Sequence, residues 1–249
     1  MSGHSKWATI KHQKAAKDKT RGKLFAKLIR QIEVAAREGG GDPDSNATLR
    51  TMVGKARAAS VPLDTIERAI KRGTGELEGV TYEAITYEGY APGGVAIMMD
   101  VLTDNRNRTG AEIRSIFSKL GGSLAEPGAV SWQFSRRGIV VADRSAAEDD
   151  VMAAALEAGA DDVIDDGDSW RITCEPGAVE DVRAALEAAS IAVQSADVTM
   201  VSSTSVPLAS AEDARKVLRV MDALEEHDDV QDVYANFDIP DDILQTVEA

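Results

Sequence analysis

A chain of 249 residues with 43% hydrophobic and 28% charged residues is too long for one domain of ordinary size and too apolar for disorder as its main state. Its single cysteine, Cys174, excludes an internal disulfide and any zinc site built on several thiolates, and no stretch approaches the roughly 20 apolar residues of a membrane span. The 28 Lys and Arg against 42 Asp and Glu give a formal net charge of −14, yet residues 1–37 hold ten basic against two acidic residues, a net of +8.

In chain order, residues 1–20 lack an apolar stripe and read as an arm. They also lack the apolar segment of a secretory signal, and a reducing, cytoplasmic setting is the expectation. Phe25, Leu28, Ile29, Ile32, Ala35 and Ala36 then recur at three- and four-residue spacing, which predicts an amphipathic helix. Lys23, Lys27, Arg30 and Arg37 fall largely off that stripe, and Gly39-Gly40-Gly41 ends it. Leu49, Met52, Val53 and Ala56 form a second stripe. A third helix follows Pro62, with Leu63, Ile66 and Ile70 as its apolar face and Gly73 and Gly75 as its stop. Three such helices bury their stripes against each other, which predicts a bundle ending near residue 78.

Beyond Gly79 the period changes to two. Residues 81–89 and 95–103 read as strands joined at "APGG", followed by a helix over about 108–120 and a strand at 129–134. From residue 138 the order is strand, helix, two strands as a hairpin around Asp166-Gly167, helix, strand. This is the β-α-β-β-α-β pattern of a ferredoxin-like domain, whose neighbouring ends permit insertion. A helix at about 210–226 and a strand at 230–237 find no partner except residues 79–135. The expected fold is therefore α+β in three domains. These are a basic arm and helical bundle (1–78), a middle α+β domain (79–135 with 205–249), and an inserted ferredoxin-like domain (136–204).

Catalysis finds little support. The histidines are His4, His12 and His227, and His4 beside Ser5 lacks an orienting acid in a fixed frame. Cys174, in a predicted strand, reads as a small core residue. The acidic run from Asp161 to Asp168 lacks the third ligand and the terminal glutamate of a calcium loop, and reads as an acidic hairpin turn. No Walker A loop is present, and "GYAPGGV" is no dinucleotide fingerprint. The expectation is a non-enzymatic protein with no cofactor and no metal.

Polyanion binding is better supported. Lys6, Lys11, Lys14, Lys17, Lys19, Arg21, Lys23 and Lys27 lie within 22 residues, and such cations pair with phosphates and release counterions. Trp7 and His12 are interleaved, so that a base could stack on either; Trp7 serves equally as a plug in the bundle. The alternatives for the basic segment are solvated helix faces, or packing against the acidic part of this chain or a neighbour. A second candidate is "TDNRNRTG" (103–110). Asp104 or Asn105 can cap a following helix, and Arg106 and Arg108 then stand at its positive N-terminal end, where an anion would relieve the conflict.

Four long motifs, "GHSKWATIKHQKAAKDKTRGKLFAKLIRQI" (3–32), "LRTMVGKARAASVPLDTIERAIKRGTG" (49–75), "YEGYAPGGVAIMMDVLTDNRNRT" (87–109) and "FSKLGGSLAEPGAVSWQFSRRG" (117–138), resemble the YebC family. The resemblance implies three domains and a non-enzymatic role in gene expression. It implies a probable transcriptional regulator that binds promoter DNA, or a ribosome-associated translation factor on large-subunit rRNA that relieves stalling at proline-rich stretches. The family's basic motif matches at Lys6, Trp7, Lys11, His12, Lys14 and Arg21, and its second motif at 104–108. The expected partner is nucleic acid, with the ribosome as a further one and no membrane. A monomer is the expectation, although the sequence leaves the oligomeric state open.

Overall fold

The computed structural model describes residues 18–248 of the chain. They form two compact units, one running to Ser131 and resuming at Val206, the other spanning Trp132–Ser205.

The first unit opens with α1 (Asp18–Gly39), α2 (Ala47–Ala58) and α3 (Leu63–Thr74). Their stripes meet in a core that includes Leu28, Ile32, Ala36, Leu49, Val53 and Ile66. Asn46 joins the first two helices. Its Oδ1 accepts the Leu49 N–H as the N-cap of α2, while its amide donates to the carbonyls of Ala35 and Gly40. The face of α3 differs from the expected one. Leu63 is 56% exposed, and the buried line is Ile66, Ala69 and Gly73. Gly73 is no stop. A Cβ there would lie 2.5 Å from the Glu33 carbonyl oxygen and 2.7 Å from the Ala36 Cβ, so its hydrogen lets α3 press onto α1. Gly75, with φ of 83°, ends the helix.

The same unit continues through β1 (Glu83–Ala91), β2 (Val95–Thr103), α4 (Arg106–Lys119) and β3 (Ser123–Ala125). After the second unit it resumes with β8 (Val206–Pro207), α7 (Ala211–Glu225), β9 (Val230–Ala235), β10 (Phe237–Asp238) and α8 (Asp241–Glu248). The sheet order is β3-β1-β2-β9, so the late strand β9 pairs antiparallel with β2. Alternate β2 residues Val95, Ile97, Met99 and Val101 face a core shared with Phe117 of α4 and Val217, Met221 and Leu224 of α7. The strand expected at 230–237 breaks at Asn236. Its side-chain oxygen accepts the Ala96 N–H, and the chain beyond it pairs in parallel with β8.

Of residues 129–134, expected as a strand, only Phe134 is in one, as the first residue of the strand that follows. The buried Glu88 carboxylate accepts the N–H groups of Gly128, Val130 and Ser131 at 2.6–2.9 Å, which takes those amides out of any ladder. A short 3₁₀ turn at Ser131–Gln133 follows.

The second unit contains β4 (Phe134–Asp143), α5 (Glu148–Glu157), β5 (Ala160–Asp165), β6 (Ser169–Cys174), α6 (Val179–Ala188) and β7 (Val193–Ser202). Its sheet has the order β5-β6-β4-β7 with every neighbour antiparallel, as the split β-α-β-β-α-β pattern requires. Trp170, Ile172 and Cys174 of β6 are buried against Val151, Val182 and Leu186 of the two helices. Burial pushes the Cys174 thiol up, with Asp161 and Glu175 adding to the effect. The acidic turn is held by ion pairs: Arg144 Nη2 lies 2.8 Å from Asp165, and Arg171 Nε lies 2.8 Å from Asp166. The fold is α+β, an N-terminal helical region followed by α+β domains.

Candidate nucleic-acid interface

Lys6, Trp7, Lys11, His12, Lys14 and Lys17 lie outside the described residues. Arg21 falls within α1, and its side chain too lies outside the description. Of the remaining candidates, Lys23, Lys27 and Arg108 converge on the C-terminal end of α7 and the residues that follow it, and Arg106 does not.

That helix ends the wrong way for its dipole. A helix C-terminus presents free carbonyls and a partial negative charge, which favours cations. The last turn of α7 contains no basic residue, and the chain runs on through Glu225, Glu226, Asp228 and Asp229. The cations come from α1. Lys23, Lys27 and Arg30 stand at i, i+4 and i+7 and therefore share one face of that helix. Lys23 Nζ donates to the Glu226 carbonyl at 2.7 Å, Lys27 Nζ to the Glu225 carbonyl at 3.0 Å, and the Arg30 guanidinium to the Asp228 carbonyl. Arg30 also stacks over the Tyr82 ring, 5.5 Å from its centre.

Arg30 and Arg108 meet at Asp229, whose side chain is 6% exposed. Arg30 Nη1 lies 3.1 Å from Oδ1, and Arg108 Nη2 lies 2.6 Å from Oδ2. The Thr109 hydroxyl donates to Oδ2 at 2.6 Å. The Thr103 hydroxyl, 2.7 Å from that of Thr109, is then left to donate to it. Burial pushes the Asp229 carboxyl up, but the Thr109 and Arg108 hydrogen bonds and the two guanidinium charges outweigh it and hold the carboxyl below its usual range. Asn105, not Asp104, caps α4 by accepting the Arg108 N–H. The conflict of a cation at this positive helix end is thus relieved by the protein's own Asp229, with Asp104 3.0 Å from the same guanidinium.

Beside this hub stands His227. Its Nδ1 accepts the Asp229 backbone N–H at 3.2 Å, which leaves Nε2 to carry the proton toward Glu112 at 2.9 Å. Single ligand atoms of Glu112, His227 and Asp229 lie within 4.8 Å of one another. The donor set does not suit a metal, because both Asp229 oxygens already face guanidinium groups and the Nε2 proton is engaged. Arg106 alone of the described candidates points outward. Its side chain is 65% exposed, with its guanidinium 3.5 Å from Glu83.

The structure therefore brings Lys23, Lys27 and Arg108 together as internal anchors and leaves Arg106 at the surface. Sequence reasoning did not single out Asp229, Thr109 or Glu88 as organising residues. A signal for the first exists: an acidic run at the predicted C-terminus of a helix needs cations from elsewhere, and packing of the basic segment against the acidic part of the chain is one of the alternatives that the sequence leaves open. Among the described residues no helix is long and apolar enough to cross a membrane.

Residues 5–76 match the family described as "TACO1/YebC protein N-terminal domain", and residues 82–237 match "TACO1/YebC second and third domain". A probable transcriptional regulatory protein of Halothermothrix orenii is 55% identical over 250 residues, covering 99% of each chain. One from Acidithiobacillus ferrooxidans is 53% identical over 249 residues, covering 100% of this chain and 99% of the relative. A crystal structure of a conserved hypothetical protein from Aquifex aeolicus aligns with a TM-score of 0.78 at 45% identity, covering 92% of this chain and 94% of that one.

Proposed function

The chain belongs to the TACO1/YebC family, and from that membership we propose that it regulates gene expression, without catalysis, by holding the phosphate backbone of a nucleic acid through its basic N-terminal region. The observation that carries this reading is the excess of ten basic over two acidic residues in 1–37 on a chain of net charge −14. The cations Lys6, Lys11, Lys14, Lys17 and Arg21 pair with phosphates. Trp7 and His12 stack on exposed bases or sugars, and Arg106 adds a contact from the folded body. Lys23, Lys27 and Arg108 act differently, since their donors are engaged within the fold. They fix the helix from which the arm departs and add to the positive field around it. The proposed setting is the cytoplasm, and promoter DNA is the proposed partner.

A second reading, an rRNA-binding translation factor on the ribosome, gains from one feature of the bundle. α2 and α3 are joined by four residues, like a helix-turn-helix, but the exposed start of α3 carries Leu63, Asp64 and Glu67. Acids at that position repel a phosphate-lined groove, and the first turn holds no Arg, Asn or Gln to read base edges, Arg68 standing only in the second turn beside Glu67. Backbone and shape recognition, which suits RNA, needs no such helix.

Deleting residues 1–17 from the full chain tests the proposal. The expected result is an intact fold with binding to duplex DNA and duplex RNA weakened at least tenfold. For the full chain, log affinity is expected to fall with log salt at a slope near −4 to −5 if about six phosphates are neutralised. Undiminished affinity after the deletion rejects the arm as the main contact. Crosslinking in cells, with sequencing of both DNA and RNA, separates discrete promoters from large-subunit rRNA.

A further inference from the structure

Helix α5 of the second unit shows solvent an apolar stripe that its own core does not use. Val151 and Ala155 are its buried residues, packed into the core of that unit. Met152 and Leu156, one turn apart on the helix, are 38% and 46% exposed. At 100° per residue they share one side of α5 with the exposed Asp149 and Ala153. A helix that serves only its own fold needs a single apolar stripe, with polar residues opposite.

The charge around this stripe is of one sign. Between Arg144 and Arg171 the sequence holds nine carboxylates and no Lys or Arg. Three of the nine have cations within the fold: Asp161 has Arg137, Asp165 has Arg144 and Asp166 has Arg171. Among the described residues no cation pairs with Glu148, Asp149, Asp150 or Glu157. The first three stand in the first turn of α5, where the positive helix end accounts for them. Glu157 has no such account. It is the last residue of α5, where free carbonyls already place negative charge, and the last turn holds no basic residue. The acidic end of α7 receives its cations from α1, whereas Glu157, next to the exposed Leu156, receives none among the described residues.

We infer that the outer face of α5 docks a basic amphipathic helix of a partner protein, whose apolar side chains cover Met152 and Leu156 and whose Lys or Arg residues pair with Asp149 and Glu157. Charge complementarity selects this occupant. A ring of unpaired carboxylates repels a phosphodiester chain, an anionic lipid surface and the same face of a second copy. Two apolar anchors one turn apart match the ladder of side chains on a facing helix, and Lys or Arg stems add apolar cover beneath their charges. The inference uses no residue of the N-terminal arm and stands apart from the nucleic-acid reading. It gives the second unit, which that reading leaves without a task, a partner of opposite charge.

The test uses the full chain and a fluorescently labelled synthetic helix of leucine and lysine, about five turns long, with its leucines on one face. A scrambled peptide of the same composition is the control. The amphipathic peptide is expected to bind at least about tenfold more tightly than the scrambled one. Met152→Ala with Leu156→Ala is expected to weaken binding about tenfold with an unchanged salt dependence, while alanine preserves the helix. Glu157→Lys is expected to weaken binding, to make its salt dependence shallower, and to raise the melting temperature slightly, since a cation suits that helix end. A purely structural role for Glu157 would not produce those changes together. Equal binding of the scrambled peptide, or full-chain affinity in the double alanine variant, overturns the inference. A dimer of the peptide-free chain that the double alanine variant dissolves, read by sedimentation velocity, overturns the choice of occupant and makes the face one of self-association. Deletion of residues 1–17 is expected to leave peptide binding unchanged, so this inference and the nucleic-acid reading fail separately.

Discussion

A carboxylate shielded from water must find donors inside the fold, and Glu88 and Asp229 do so in different ways. Glu88 gathers three backbone N–H groups of one loop, while Asp229 gathers two guanidinium groups and a hydroxyl. Burial opposes ionisation of each, the hydrogen bonds and charges prevail, and both carboxyls are held low. A depressed folded value means stability that is present above the unfolded value of about 4 and lost as pH falls through the folded one. Glu88→Gln is therefore expected to cost about 2 kcal/mol at neutral pH, since an amide turns donors toward donors. The cost should shrink in acid, where the native carboxyl has itself taken a proton. Urea titrations at pH 7 and at acid pH check this, and a pH-independent difference contradicts it. Neither residue was legible in the sequence. A lone Glu in an alternating strand looks like a solvent-facing position, and only the tertiary path of residues 128–131 gives it partners.

At the scale of elements, α1 works as the electrostatic cap of a helix nearly 200 residues away. Lys23→Gln with Lys27→Gln removes two charge-assisted bonds to the end of α7 and is expected to cost about 1 kcal/mol together. The loss should fade at high salt as screening weakens the native contacts, and thermal melts at low and high ionic strength measure it. A loss unchanged by salt would show that the lysine stems, not their charges, hold the contact. The helices themselves were legible because stripes at three- and four-residue spacing leave little choice of period. Leu63 misled, since the pattern Leu63, Ile66, Ile70 is as good a stripe as Ile66, Ala69, Gly73. Close approach through a glycine decided between them, and apolar counting does not register a glycine. The strand expected at 129–134 failed for the reason that hid Glu88: its amides were already taken.

For the whole molecule, the order of elements in 138–202 foretold the sheet of the second unit, because a split β-α-β-β-α-β chain has few ways to pair. The pairing of β9 with β2 was legible by elimination, as late elements with an apolar face and no neighbour had to return to the earlier sheet. The charge split was legible too, but it overstated how many cations are open to a ligand. Lys23, Lys27 and Arg108 are partnered at home, which no count of charges reveals.

Within the second unit, Phe134 at the start of β4 lies opposite Ser202 at the end of β7, and the Ser203 N–H donates to the Gln133 carbonyl at 2.8 Å. The interruption therefore begins and finishes at one point, and this bears on kinetics. Until β4 and β7 zip together, Val101 must search for Val230 across a long floppy tether; afterwards a short clasp replaces it and the closure entropy falls. Disrupting the cassette with Trp170→Ala should consequently slow the refolding of a sheet to which Trp170 does not belong. Stopped-flow refolding of that variant, set against its equilibrium unfolding, reads the effect directly.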